Sequence, residues 1–410
     1  MSISPNFWVG GLEKIFKKGF TMATCDTNQL TDYDIEELIS YIINEDNNPD
    51  SDRFAYNHII HYYEQKCTTN RVRLSFPNRV LWKITGQCNC KCLHCWANLG
   101  TAIPRENLLK VAKELSDNHV AMVSLSGGEP LLCKELFEIY RILKNNNAIV
   151  EILTNGALIN QAWIEEYKKI ADLNVDVIQI SLDGPCSEIH DKQRNRPIFD
   201  KVVENIKLLR SEGIKVRVSI TATQTNQNYI YDTYLLAQRL GVNVASISPV
   251  FPLRKGKAQE NELDDYQYLK QLLLCFRSRE QTAIRAQVPF GFQNKAYDYY
   301  KRQNHVNNKS SLDCTMFMQE TNISMQIDAK GNALPGPEYE ECHSAGNVYE
   351  NTIKNVWSNG INWQEFREGR DLSNTKCLQC SIYSICGGGN AKMAFDVYKT
   401  IKAPDGRCFV

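Results

Sequence analysis

The stretch that decides the fold runs from Val80 to Trp96 and reads VLWKITGQCNCKCLHCW. An apolar run of strand length passes directly into a loop in which Cys88, Cys92 and Cys95 are spaced C-x3-C-x2-C, with Cys90 between the first two. Outward from this stretch the apolar run recurs as AMVSLS (121–126), IVEILT (149–154), DVIQIS (176–181), KVRVSI (215–220) and NVASIS (243–248). Helical patterns separate the runs at Glu106–Asp117, Glu135–Lys144, Gln161–Ala171, Phe199–Glu212 and Tyr229–Arg239. Strands that alternate with helices imply a parallel sheet, because parallel neighbours need a long crossover between them. Six such units fall short of the eight that close a barrel. The expected fold is therefore α/β, a partial (β/α)6 TIM barrel over residues 79–257, with its polar motifs just after the strands.

Composition narrows the function. The 410-residue chain has 47 basic and 47 acidic residues, so no net positive charge argues for a nucleic-acid partner. No apolar run approaches the roughly 20 residues that cross a bilayer, and the first 20 residues lack the apolar core of a secretory signal. A cytoplasmic protein without a membrane partner is expected. Fifteen cysteines in such a chain point to metal or iron–sulfur ligation, since the cytosol keeps thiols reduced.

Three further regions flank the barrel. Residues 1–78 form an N-terminal, mainly helical extension, with a helix expected over Gln29–Asn44. Residues 258–312 read as a helical connector that opens on an amphipathic helix over Ala258–Arg279. Residues 313–410 form a tail rich in cysteine and glycine, too poor in periodic apolar residues to fold on core burial alone.

Three thiolates on one short loop can hold three irons of a cubane and leave the fourth open to a ligand's amino and carboxylate groups. A zinc loop is the alternative, although it would usually show paired C-x-x-C motifs. Downstream lie Ser126-Gly127-Gly128-Glu129-Pro130 after the second strand, Thr154-Asn155-Gly156 after the third and Ser181-Leu182-Asp183-Gly184 after the fourth. His190-Asp-Lys-Gln-Arg194 follows. In this order the motifs resemble those of the radical S-adenosylmethionine enzymes.

The resemblance implies that Cys88, Cys92 and Cys95 hold a [4Fe-4S] cluster and that Cys90 is not a ligand. It implies that Ser126, Gly127, Gly128 and Glu129 receive the methionine amino group of S-adenosylmethionine, a carboxylate being suited to an ammonium. Asn155 and Ser181 would line methionine and ribose, Arg194 would pair with the methionine carboxylate, and Thr221 and Val250 would contact adenosine. The chemistry implied is reductive cleavage of the sulfonium to a 5′-deoxyadenosyl radical, which abstracts hydrogen from substrate.

The tail reads Cys377-x2-Cys380-x5-Cys386, with Cys408 near its end. This resembles the SPASM extension of radical enzymes, whose fuller pattern supports two auxiliary clusters. Two of that pattern's cysteines are replaced here, by Gly336 and Asn390. The resemblance therefore implies one auxiliary [4Fe-4S] cluster on Cys377, Cys380, Cys386 and Cys408, with the inner site lost or remodelled. Two other readings stay open: an inner cluster captured by Cys314 and Cys342 with other ligands, or a zinc ribbon on the outer four thiolates. Cys314 is a candidate catalytic thiol, a hydrogen donor or radical partner, or else a buried structural cysteine. Cys25, Cys67, Cys133, Cys186 and Cys275 are read as structural.

SPASM-like tails imply a ribosomally made peptide as substrate, to be crosslinked or epimerised, and a reductant such as flavodoxin or ferredoxin. Residues 1–78 could hold such a peptide's leader. A small-molecule or sulfatase-maturation substrate is the alternative within the family. A non-catalytic iron–sulfur or zinc protein is the alternative outside it.

Overall fold

The computed structural model describes residues 74–250 apart from 96, 98 and 101, residues 263–287, 320–380 apart from 369, 388–405 and 408, and part of 31–41. In chain order the barrel elements are β1 (Arg79–Lys83), α1 (Arg105–Asp117), β2 (Met122–Ser126), α2 (Leu136–Lys144) and β3 (Ile149–Thr154). They continue with α3 (Gln161–Lys168), β4 (Val177–Ser181), α4 (Ser187–Arg194), α5 (Phe199–Ser211), β5 (Val216–Ala222), α6 (Ile230–Arg239) and β6 (Val244–Pro249). After α7 (Asp265–Arg277) comes β7 (Ala283–Ala286).

Strands β1 to β7 lie side by side in sequence order, all parallel, from Arg79 opposite Met122 to Val244 opposite Ala283. This is the partial barrel. The six strands read from the sequence are all present, and β7 adds a seventh within the segment expected to be a helical connector. Its four residues, AIRA, are too few to show a period. Helix α4 was also illegible as a period: SEIHDKQR contains one large apolar residue.

Alternation sorts strand residues onto two faces. Trp82, Val123, Leu125, Ile178, Ile180 and Val218 share a fully buried apolar face. Helices cover it with residues three and four apart: Leu108, Val111, Ala112 and Leu115 on α1, and Leu136, Ile139, Tyr140 and Leu143 on α2. The opposite face is polar. There Ser124 Oγ donates to Glu151 Oε2 at 2.7 Å, while Arg217 Nη1 bonds the other carboxylate oxygen and donates to Gln179 Oε1 at 3.2 Å. Buried charges need such partners.

The tail joins the same sheet. Strand β8 (Ser324–Ile327) runs parallel to β1, with Arg79 opposite Ser324, and β9 (Ala333–Leu334) pairs antiparallel with β8. The tail, expected to be too poor in periodic apolar residues to fold on core burial alone, contains a buried aromatic pair. Trp357, on α8 (Ile353–Asn359), and Trp363 are fully buried and meet edge to face at 5.9 Å. Arg367 lies over both rings, at 4.9 and 5.2 Å from their centroids. Two large aromatics supply burial that a count of periodic aliphatic residues misses.

The described residues of the N-terminal helix dock on α7. Leu38 is buried, Tyr41 stacks on Phe276 at 5.6 Å, and Arg277 pairs with Asp34 and Glu37 at 3.0 and 2.5 Å. The rest of residues 1–73 and the stretch 288–319 lie outside the described residues.

Candidate functional site

The loop after β1 is held by hydrogen bonds from several strand ends. Glu129 N donates to Gln87 O at 2.7 Å, Gly128 N to Thr85 O at 2.8 Å and Leu93 N to Gln193 O at 3.0 Å. Asn155 Nδ2 donates to Asn89 Oδ1 at 2.7 Å. The glycines after β2 are dictated by this contact. A Cβ on Gly127, at φ +154°, would stand 2.5 Å from Thr85 O, and one on Gly128 would collide with Gln87 O and the Cys88 side chain.

Within the loop the cysteines differ. Cys90 is buried in the core, and its backbone N–H donates to Cys88 Sγ at 3.4 Å. Hydrogen bonding from the Cys90 side chain draws the thiols of Cys88 and Cys92 below the ordinary thiol range, to about 7 and about 6, and pushes Cys90's own thiol far up. Cys88 and Cys92 therefore ionise more readily than the Cys90 thiol between them. Burial raises the exposed-edge Cys95 thiol instead. Among the described residues no three His, Cys, Asp or Glu side chains converge on a single-ion site. A cubane asks for one thiolate per iron, and three cysteines on one loop fit one that keeps its fourth iron open.

Glu129 sits fully buried at the end of β2. Its Oε1 accepts from Thr154 Oγ1 at 2.6 Å and Leu131 N at 3.1 Å, and its Oε2 accepts from Asn155 N at 2.8 Å. Burial nevertheless pushes its carboxyl up to about 7. A carboxylate so placed gains from a cation that approaches it.

Asp183 and Arg194 form the second buried charge cluster. Arg194 ends α4, with Nη2 2.5 Å from Asp183 Oδ2, while Nη1 donates to Cys92 Sγ at 3.6 Å. Asp183 Oδ1 accepts from Thr221 N at 2.8 Å, and Asp183 N donates to His190 Nδ1 at 3.1 Å. Among the described residues, Arg194 Nε and His190 Nε2 are buried without a hydrogen-bond partner, which is costly unless a ligand supplies one. His94 Nε2 stands 4.0 Å from Asp183 Oδ2, and burial lowers this imidazole to about 4.

Ser126 and Ser181 occupy the last positions of β2 and β4, and Thr221 the last but one of β5, on the polar face. Val250 follows β6 and is half-buried. The sequence reading gave Asp183, His94 and His190 no role. The SLDG and HDxxR motifs contain two of the three, yet nothing in the sequence pairs Asp183 with Arg194.

In the tail, Cys377 is buried and Cys380 and Cys408 are partly so. Lys376 Nζ donates to Cys408 O at 2.9 Å, drawing the chain end onto the Cys377–Cys380 turn. Cys386 and Cys314 lie outside the described residues. The two substituted positions are brought together: Glu338 Oε2 lies 2.8 Å from where a Cβ on Gly336 would be, and the Glu338 carboxyl hydrogen-bonds the Asn390 side chain. Asn390 also caps α9 (Ala391–Tyr398), accepting from Lys392 N and Met393 N at 2.8 and 3.1 Å.

Residues 82–236 match the radical SAM superfamily, and residues 314–381 match the SPASM iron–sulfur cluster-binding domain. The chain is a radical SAM enzyme with a SPASM domain. Its cofactors are S-adenosylmethionine, a radical [4Fe-4S] cluster and auxiliary iron–sulfur chemistry. The enzyme is 23% identical to an AdoMet-dependent heme synthase of Methanosarcina barkeri, over 77% of this chain and 92% of that one. It is 24% identical to the mycofactocin maturase MftC of Mycolicibacterium smegmatis, over 82% and 83%. Its fold is similar to Streptococcus suis SuiB bound to the precursor peptide SuiA, with TM-score 0.67 at 19% identity over 98% of this chain and 87% of that one. Among the described residues, no helix is long and apolar enough to cross a membrane.

Proposed function

We propose that the enzyme abstracts hydrogen from a ribosomally made peptide in the cytoplasm and installs a thioether or carbon–carbon crosslink or an epimerised residue. When bound, the cluster and S-adenosylmethionine supply one-electron reductive cleavage and a 5′-deoxyadenosyl radical, with the electron coming from a flavodoxin or ferredoxin. Cys88, Cys92 and Cys95 hold the cluster and leave one iron to the cofactor's amino acid end. Glu129 Oε2, which keeps a lone pair, receives the ammonium; Ser126, Gly127 and Gly128 shape the floor beneath it. Arg194 Nε receives the carboxylate, its other two nitrogens being engaged. Asn155 and Ser181 face methionine and ribose, and Thr221 and Val250 flank the adenosine. In the tail, Cys377, Cys380, Cys386 and Cys408 hold one auxiliary cluster.

The peptide reading is supported by the SPASM tail, together with likeness across most of the chain to a mycofactocin maturase and, in fold, to a protein bound to a precursor peptide. Likeness to heme synthases of similar length favours a second reading, a small-molecule substrate. Co-expression with a short candidate precursor, followed by mass spectrometry and chiral analysis, tests the proposal. Loss of two hydrogens indicates a crosslink, and unchanged mass with inverted configuration indicates epimerisation. An unmodified peptide, alongside turnover of a tetrapyrrole carboxylate, would transfer the enzyme to the second reading.

A further inference from the structure

The ion pair at the end of α4 has a consequence beyond cofactor binding. Arg194 is buried, its side chain 8% exposed, and it divides its guanidinium between two partners: Asp183 at one nitrogen and the sulfur of Cys92 at another. Asp183 is itself fixed, fully buried and accepting Thr221 N. The backbone bond from Leu93 N to Gln193 O ties the cysteine loop to the helix residue next to Arg194, so the distance from guanidinium to sulfur is set by the scaffold. The pair is thus an oriented dipole whose positive end faces the loop. His94 and His190 also face Asp183, His94 with Nε2 4.0 Å from Asp183 Oδ2 and His190 with Nδ1 accepting from Asp183 N at 3.1 Å.

We propose that Arg194 sets the reduction potential of the radical cluster, donating an N–H to the Cys92 sulfur and holding the cluster easier to reduce than its thiolates alone would leave it. This rests on the reading that Cys92 is a cluster ligand. Hydrogen bonds to cluster sulfurs and nearby charge are among the factors that set iron–sulfur potentials. Reduction adds one electron, from an external one-electron donor, and so one negative charge to the cluster. A buried cation at a ligand sulfur stabilises that form, and low local dielectric strengthens the effect. Asp183 is a positioning residue: it aims the guanidinium, and its own charge lies on the far side.

The test is a redox titration of the anaerobically reconstituted full chain without S-adenosylmethionine, followed by electron paramagnetic resonance. Signals from the tail cluster are identified in a Cys88→Ala, Cys92→Ala, Cys95→Ala variant. Arg194→Gln is expected to lower the midpoint so that, where wild type is half reduced, the oxidised-to-reduced ratio rises about tenfold, about 59 mV for one electron. Arg194→Lys, which keeps the charge, recovers most of that shift. An Arg194→Gln protein with wild-type iron content, a signal that still responds to the cofactor and an unchanged midpoint overturns the proposal. A second measurement needs no variant: with 15N-arginine in the wild-type enzyme, spin-echo modulation of the reduced cluster shows a coupled nitrogen, and its absence also overturns the proposal. If Cys92 is not a ligand, Cys92→Ala leaves the iron content and the spectrum of the radical cluster unchanged, so the two failures are separable.

Discussion

The two cysteine regions of the enzyme are built differently. The loop after β1 is set in place by the protein itself: strand ends, the helix terminus at Gln193 and the Asn155–Asn89 bond all hold it. Among the described residues, the outer cysteines of the tail are held by contacts within the tail itself. Lys376 reaches the chain end, and Arg370 donates to the carbonyls of Ala403 and Gly389 at 3.1 and 2.5 Å. Between the two regions lies the β8–Trp357–Trp363 segment, which joins the barrel sheet through β1 and carries one cysteine, the exposed Cys342. On the ligand sets proposed above, iron in the barrel adds chemistry to a loop that hydrogen bonds from other strands already hold, and iron in the tail would join the Cys377–Cys380 turn to Cys408.

The largest expected effect breaks the first site. Replacing Cys88, Cys92 and Cys95 together with Ala abolishes 5′-deoxyadenosine formation, keeps the melting profile of the barrel, and leaves about four irons per chain. Eight irons remaining would contradict the assignment of both sites. The mirror experiment sharpens the comparison. Cys377→Ala with Cys380→Ala removes the tail's iron and exposes residues 370–408 to protease and hydrogen exchange, while protection of β1 to β6 persists. Equal loss across the whole sheet would show that the tail cluster is a global staple instead.

Much of this was legible in advance, and the reason is spacing. The barrel strands and the cysteine loop are contiguous in sequence, so period and motif revealed them. Pairings over long separations were not: Asp183 with Arg194 and Glu338 with Asn390 place side chains together only after folding. Cys90 was read as outside the ligand set, but nothing local showed that its thiol lies between Cys88 and Cys92 as a hydrogen-bonding partner. The tail's core was missed because two tryptophans carry it, rather than a repeating stripe.

A middle-sized effect tests that core. Trp357→Ala removes a fully buried ring and its bond from Nε1 to Leu74 O at 2.7 Å, and should cost about 3–5 kcal/mol in chemical denaturation. The iron content of the barrel site should be unchanged. A loss below about 1 kcal/mol would return the tail to dependence on metal.

The smallest effect concerns Glu129. Its carboxyl is raised by burial from 4.5 to about 7, so in the cofactor-free enzyme it is mostly protonated below pH 7. A raised carboxyl lowers stability once ionised: the cost is absent below 4.5, grows between 4.5 and 7, and is constant above. Binding of an ammonium needs the ionised form, so cofactor affinity should weaken as pH falls through 7, approaching tenfold for each unit below. Equilibrium binding of S-adenosylmethionine from pH 5.5 to 8.5 on about the same enzyme concentration reads this out. Glu129→Gln should flatten the profile, and a wild-type profile flat over that range would remove Glu129 from the amino site.

The claim that everything else depends on is that Cys88, Cys92 and Cys95 leave one iron open and the sulfonium amino acid binds there. Electron paramagnetic resonance of the reduced, anaerobically reconstituted enzyme, recorded with and without S-adenosylmethionine, tests it most directly. The account predicts a cluster signal that shifts on adding the cofactor and disappears in the three-cysteine variant, leaving a tail signal that does not respond. Zinc in place of iron at that loop, or a spectrum identical with and without the cofactor, would contradict it.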